Sequence, residues 1–128
     1  MKFLLDTHCF LWAISNSSLL PKKVINYLEN QENEIFLSSA SVWEIFIKFK
    51  LGKLDLKKDP ENLILEEMQI GNYKSLEIKM NHIFPMSKLS QYHKDPFDRI
   101  LICQAISEGL TILTNDPLIK KYKVKTVW

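Results

Sequence analysis

The sequence has no apolar run near the ~20 residues that a bilayer-spanning helix requires, so no transmembrane segment is expected. Glycine is scarce: Gly52, Gly71 and Gly109 stand singly, too far apart to build a phosphate-cradling loop, which excludes a nucleotide-binding domain of that kind. Cys9 and Cys103 lie in apolar segments without C-x-x-C spacing, so two buried reduced thiols are expected rather than a disulfide scaffold. Histidine offers no zinc set, because His8, His82 and His93 have no matching partners nearby in sequence. Arginine is almost missing: of 17 basic residues only Arg99 is one. There is no internal repeat, no low-complexity stretch and no Gly/Ser linker. The apolar opening from Met1 is interrupted at Asp6 with no small-residue cleavage site after it, so the chain is read as cytoplasmic.

What is present describes an ordinary soluble domain. With 46% hydrophobic and 25% charged residues, the 128-residue chain can bury one core, and residues 1–128 are read as one domain. A net charge of +2 does not by itself imply a nucleic-acid partner. Lysines gather at Lys53, Lys57 and Lys58 and again at Lys120, Lys121, Lys123 and Lys125, which a solvated surface explains more readily than a phosphate track.

The apolar pattern alternates between short runs and helical spacing. Lys2–Leu5 and Ile35–Leu37 read as buried strands, and Tyr73–Ile78, Thr111–Thr114 and Val124–Val127 as further ones. Between them, helical spacing begins at Phe10, at Pro21 as the first residue of a second helix, after Ser38 to Ser41, after Asp59-Pro60 and after Asp95-Pro96. Gly52, Gly71 and Gly109 follow helices as terminators. Strands alternating with helices mean an α/β fold, with a parallel sheet covered on both faces. Ligands of such sheets bind beyond the carboxyl ends of the strands.

That edge is where acids collect. Asp6 follows the first strand, Glu44 lies near the start of the helix after the second, and Asp116 lies just past the fourth. Asp98 joins them if the helix that carries it begins at the same edge. Each acid also has a local duty on offer. Asp98 suits the first turn of a helix capped by Asp95, and Glu44 completes an S-x-x-E capping box from Ser41 or pairs with Lys48. Asp116 can cap a short last helix. Capping does not require four acids to converge, however. Crowded carboxylates raise one another's pKa, and a hard divalent cation is the ordinary remedy. Oxygen ligands suit Mg²⁺ or Mn²⁺, and such pockets hydrolyse phosphodiesters by activating a water beside the metal.

These same residues carry a family resemblance. Leu4-Leu5-Asp6-Thr7-His8, Ser39-Ala40-Ser41-Val42-Trp43-Glu44-Ile45 with Lys48, His93-Lys94-Asp95-Pro96-Phe97-Asp98-Arg99, Leu113-Thr114-Asn115-Asp116 and Trp128 resemble the PIN-domain nucleases, and more narrowly the VapC-type toxins. The likeness runs in order along essentially the whole chain. It implies a three-layer αβα fold around a five-stranded parallel sheet. It also implies a Mg²⁺- or Mn²⁺-dependent endoribonuclease, the toxin of a bacterial toxin–antitoxin pair, with RNA as substrate and a cognate antitoxin as partner. The family's acidic quartet falls on Asp6, Glu44, Asp98 and Asp116. Thr7 and Thr114 match hydroxyl positions that support the pocket. Lys48 and Arg99 are candidate phosphate contacts, with a tether near Asp98 as the other reading of Arg99.

A receiver domain would need a phosphoacceptor Asp after a middle strand, and a haloacid-dehalogenase-like phosphatase would need Asp-x-Asp where Asp6-Thr7-His8 stands. The remaining rival is a catalytically inactive PIN-type scaffold that binds RNA or protein. One helix bears on partners. Val42–Leu51 is apolar nearly all round, leaving only Glu44, Lys48 and Lys50 polar. Either it is deeply buried, or its uncovered side serves a homodimer or antitoxin interface.

Overall fold

Phe3, Leu4 and Leu5 form an unbroken apolar run, which is stable in a strand only when both faces are covered. The computed structural model describes residues 1–128 and places that run, β1 (Lys2–Leu5), at the centre of a sheet. The chain continues through α1 (Thr7–Ile14), α2 (Lys22–Glu29), β2 (Glu34–Ser38), α3 (Ser39–Lys50), α4 (Pro60–Gly71), β3 (Lys74–Leu76), α5 (Met80–Ile83), α6 (Pro96–Glu108), β4 (Thr111–Leu113) and β5 (Thr126–Val127). The five strands are all parallel, in the order β3-β2-β1-β4-β5.

Alternation along the strands divides the core into two layers. Leu4 and Ile112 face one side, where Leu101, Ile102 and Ala105 of α6 pack on them. Phe3, Leu5, Ile35, Leu37 and Leu113 face the other, against Phe10 of α1, Val24 of α2 and Ile64 of α4. Helix α3 reaches both layers, through Ala40 on one side and Ile45 on the other. The result is the three-layer αβα arrangement expected from the alternation. Register then fixes the functional edge: Leu5 is level with both Leu37 and Leu113, so Asp6, Ser38 and Thr114 follow at the same height.

Local chemistry sets the helix ends. The Asp59 carboxylate accepts the Asn62 N–H at 3.1 Å, and Asp95 accepts the Phe97 N–H at 2.8 Å with Pro96 in the first turn. Gly109 ends α6 at φ +68°, where a side chain would be strained. Three expectations shift. Pro21 is the residue before α2 rather than its first. The left-handed terminator of α4 is Asn72, and Gly71 sits inside the last turn, where a Cβ would meet the Tyr73 ring at 2.5 Å. Strands β3 and β5 are shorter than their apolar segments, because an edge strand keeps only the residues that match its single neighbour. Helix α5 was not legible in the pattern; it is held by a tertiary contact, the buried His82 ring, which accepts the Lys79 N–H and reaches Glu108 at 3.0 Å.

Candidate active site

Asp6 leaves β1 and immediately caps α1, its Oδ1 accepting the Cys9 N–H at 2.7 Å. Its other oxygen accepts the hydroxyl of Thr114, which in turn accepts the Asp116 N–H at 3.0 Å. One buried hydroxyl therefore joins the ends of β1 and β4 and ties Asp6 to the turn bearing Asp116. Glu44 lies in the second turn of α3, not the first. The helix is capped by Ser38, whose Oγ accepts the Ala40 N–H at 3.0 Å, so the capping box expected between Ser41 and Glu44 does not form. Instead Glu44 is buried, and Oε1 accepts the Thr7 hydroxyl at 2.7 Å while Oε2 meets Lys48 Nζ at 2.6 Å. Ser41 Oγ lies 3.0 Å from the same Thr7 hydroxyl. A buried acid with both oxygens committed is held for its position.

Helix α6 begins where β3 ended, since a crossover helix must start at the carboxyl edge and return to the other. Asp98, in its first turn, therefore does reach the acids. The link is His93, a residue that sequence reasoning set aside with the other histidines. Its Nε2 lies 2.9 Å from Asp116 Oδ2 and 3.1 Å from Asp98 Oδ2. Nδ1 accepts the Asp95 N–H at 3.1 Å, which leaves the ring proton on Nε2, facing the two carboxylates. His93 is a donor between acids. The spacing H-x-D-P-F-D held the only signal available in sequence, and it becomes meaningful only once Asp116 arrives from a distant turn.

The electrostatics follow from this crowding. Asp98 is pushed up to about 7, first by burial and then by Asp95, with Glu44 and Asp6 adding to the rise and His93 opposing it. Burial also raises Asp6, against the Thr114 hydroxyl, the Cys9 N–H and the nearby His8; Asp116 adds a small push. Asp116 goes the other way. Burial would raise it, but hydrogen bonds from His93 and the Leu118 N–H hold it below the usual carboxylate range. The four acids thus share one field, and His93, Asp98 and Asp116 have ligand-type atoms within 4.8 Å of one another.

Arg99 is not available to a phosphate. It is buried, and its guanidinium donates to the carbonyls of Ser90 (2.8 Å), His93 (3.2 Å), Leu89 (3.4 Å) and Met86 (3.5 Å). The tether reading of this residue is the one the geometry favours. Lys48 keeps part of its side chain in solvent while paired to Glu44. Thr7 and Thr114 are buried and bonded to the acids themselves. Helix α3 is not deeply buried: Trp43 is 60% exposed, with Phe46, Phe49 and Leu51 also open, and the Trp43 ring meets Phe97 edge-on at 5.2 Å.

Comparison with known proteins agrees with this architecture. A family model described as the PIN domain matches residues 3–125. No curated protein matches the sequence. Among solved structures, VapBC2 from Rickettsia felis, bound to a DNA fragment from their promoter, is 19% identical with a TM-score of 0.76, covering 100% of this chain and 99% of that one. DNA-bound VapBC from Salmonella typhimurium is 20% identical with a TM-score of 0.69, covering 99% and 97%. FitAcB from Neisseria gonorrhoeae is 17% identical with a TM-score of 0.68, covering 98% and 96%. At these identities the likeness speaks for the fold.

Proposed function

The chain belongs to the PIN-domain family, a family of nucleases, and from that premise we propose that it is a Mg²⁺- or Mn²⁺-dependent endoribonuclease whose site residues are Asp6, Glu44, Asp98 and Asp116. The observation that carries the reading is the gathering of four acids at one sheet edge, close enough for Glu44 and Asp6 to help push Asp98 up. Folding stability alone does not favour such a set, because each charge destabilises the others.

The donors fit a hard divalent cation: carboxylate oxygens, with Asp98 and Asp116 still reached by solvent. Asp6 and Asp98 would be the principal ligands, with Glu44 and Asp116 completing the set. Bound there, the ion supplies an acidified water and positive charge opposite the phosphoryl oxygens. The chain's own groups do the positioning. Thr114 and the Cys9 N–H hold Asp6, while Thr7 and Lys48 hold Glu44. Through Nε2–H, His93 keeps Asp98 and Asp116 turned toward each other; with its Nδ1 already accepting the Asp95 N–H, it stands beside the ligands and not among them. Of the four acids, a carboxylate that reaches the ion only through water would be the one to accept that water's proton.

The likeness to the VapBC and FitAcB structures supports a further reading, the toxin of a bacterial toxin–antitoxin pair. On that reading the open apolar side of α3, with Trp43, Phe46 and Phe49, serves a homodimer, the antitoxin, or both. An antitoxin lying there would sit beside Glu44 and cover the acids. The purified protein should cleave RNA with Mg²⁺ or Mn²⁺ and stop with EDTA. Asp6→Asn should reduce the rate by orders of magnitude while circular dichroism stays native. In cells, wild type should arrest growth, Asp6→Asn should not, and the cognate antitoxin should restore growth. Cleavage that survives both EDTA and Asp6→Asn refutes the mechanism.

A further inference from the structure

Asp6 and Asp116 also line an open groove of about 440 Å³, together with His8 and Trp12 from α1 and Asn115, Pro117 and Leu118 from the segment after β4. That volume falls among small-ligand clefts, which run from roughly 300 to 1,000 Å³. His8 and Trp12 are four residues apart in α1, so they share one face of the helix, and their ring centroids are 5.8 Å apart. Trp12 is braced from behind by Trp128, edge-on at 5.6 Å. The indole is therefore a platform ordered by the fold, yet only half-buried. In the same groove Asn115 is exposed, because the hydrogen bonds of its turn run through Thr114 and Asp116 on either side. Nothing in the acidic site as described uses the Trp12 indole or the Asn115 amide.

Each lining group narrows what fits. Acidic side chains repel a phosphate that lacks a cation, so the groove's own ligand is the uncharged part of the substrate. A flat aromatic ring selects a flat π-system, and a carboxamide offers one donor and one acceptor to its edge. We propose that this groove is a subsite for one unstacked base of single-stranded RNA, immediately beside the phosphate held at the acids. The base stacks on the Trp12 indole, with the His8 ring, tilted 43° from it, alongside, and Asn115 bonds its edge. A paired base cannot enter, since its faces and edge are occupied in a helix; the subsite therefore selects loops, bulges and ends. Lys120 and Lys121 are exposed just beyond Leu118, which also lines the groove, and their charge suits the backbone leading away. The proposal rests on the nuclease reading for the phosphate's place, and its test therefore measures binding rather than cleavage.

The probe is a short fluorescent single-stranded RNA, intact or with one abasic nucleotide stepped along it, titrated by anisotropy with Mg²⁺ into the Glu44→Gln protein, which keeps Asp6 and Asp98 and leaves the groove's own residues unchanged. One abasic position should weaken binding on the order of tenfold, the usual loss for one stacking platform. Adding Trp12→Ala should weaken the intact RNA by a similar factor and erase the penalty at that position alone. Trp12→Phe should retain most of the binding, and Asn115→Ala, at an exposed turn, should weaken it without disturbing the fold. Should Trp12→Ala unfold the protein, the Trp12→Phe and Asn115→Ala pair decides the matter. Abasic penalties that are equal at every position, Asn115→Ala binding unchanged, or no RNA binding at all overturns the subsite. A position-specific penalty in a wild-type protein that cleaves no RNA would uphold the subsite and remove the nuclease reading.

Discussion

Replacing Asp98 with Asn should stabilise the metal-free protein, and should do so more as the pH rises. Asp98 is pushed from 3.8 up to about 7 in the folded state, first by burial and then by Asp95. A raised carboxyl pKa means that the folded protein holds the proton more tightly than the unfolded chain. Below the unfolded pKa both forms are protonated, and the site costs nothing. Between about 4 and 7 the unfolded chain ionises first, so stability falls, and above 7 the full cost is present. About 3 units at roughly 1.4 kcal/mol each give a ceiling of about 4 kcal/mol at pH 8. Asparagine keeps an oxygen for the His93 proton and removes the charge, so a gain of about 1–4 kcal/mol is expected at pH 8 and close to none at pH 4. For a chain of this length each kcal/mol is worth about 4 °C in Tm. Thermal melts in EDTA across that range measure it. Asp116→Asn supplies the contrast, because bonds from His93 and Leu118 hold that carboxyl low; its replacement should bring no such gain. A benefit from Asp98→Asn that is independent of pH, or a loss at pH 8, refutes the argument that crowded charge dominates this site.

Other outcomes follow from single contacts. Mg²⁺ should raise the Tm of wild type and much less that of Asp98→Asn, by preferential binding to the folded state; equal shifts would mean that Asp98 is only a helix-start residue. His93→Ala should lower Mn²⁺ affinity in calorimetry by about 10- to 100-fold, with His93→Gln intermediate because its amide can donate to one carboxylate. Unchanged affinity would leave His93 without a positioning role. Arg99→Lys should cost about 2–4 kcal/mol in urea denaturation, since an ammonium cannot reach the set of carbonyls that the guanidinium fork satisfies. On the proposed reading of α3 as an interface, Phe46→Asp should leave fold and melting intact while weakening self-association in light scattering or antitoxin co-purification; a variant that unfolds would show the side chain to be core.

The parts of this protein legible in sequence are those fixed by neighbours in the chain. The apolar run of β1, the Asp59-Pro60 and Asp95-Pro96 helix starts and the Gly109 stop each depend on a few adjacent residues, and each lies where its chemistry puts it. Topology then carried Asp6 and Asp116 to a common edge. What depended on distant partners was hidden. The S-x-x-E pattern from Ser41 promised a capping box, but Ser38 caps the helix and Glu44 turns inward to Thr7. For Arg99 the sequence left phosphate contact and tether equally open, and the choice is made by carbonyls some ten residues earlier, which set its direction. His93 had no visible partner until Asp116, 23 residues away, came alongside.

The Arg99 tether has a mechanical consequence. All four acids are anchored to regular structure, Asp6 and Asp116 through the β1 and β4 ends, Glu44 within α3 and Asp98 in the first turn of α6. From Leu89 to His93, by contrast, the chain has neither helix nor strand, and its carbonyls converge on one guanidinium that replaces a ladder of backbone bonds. The site is thus assembled from a stiff acidic frame and one imidazole on a segment held by two side chains, Arg99 and Tyr122, whose hydroxyl accepts the His93 N–H and donates to the Ser90 carbonyl. Amide exchange should register this as two separate opening events, with the segment bearing His93 exchanging well before the sheet. Slackening at Arg99 would loosen the imidazole while Asp6, Glu44 and Asp116 kept their places.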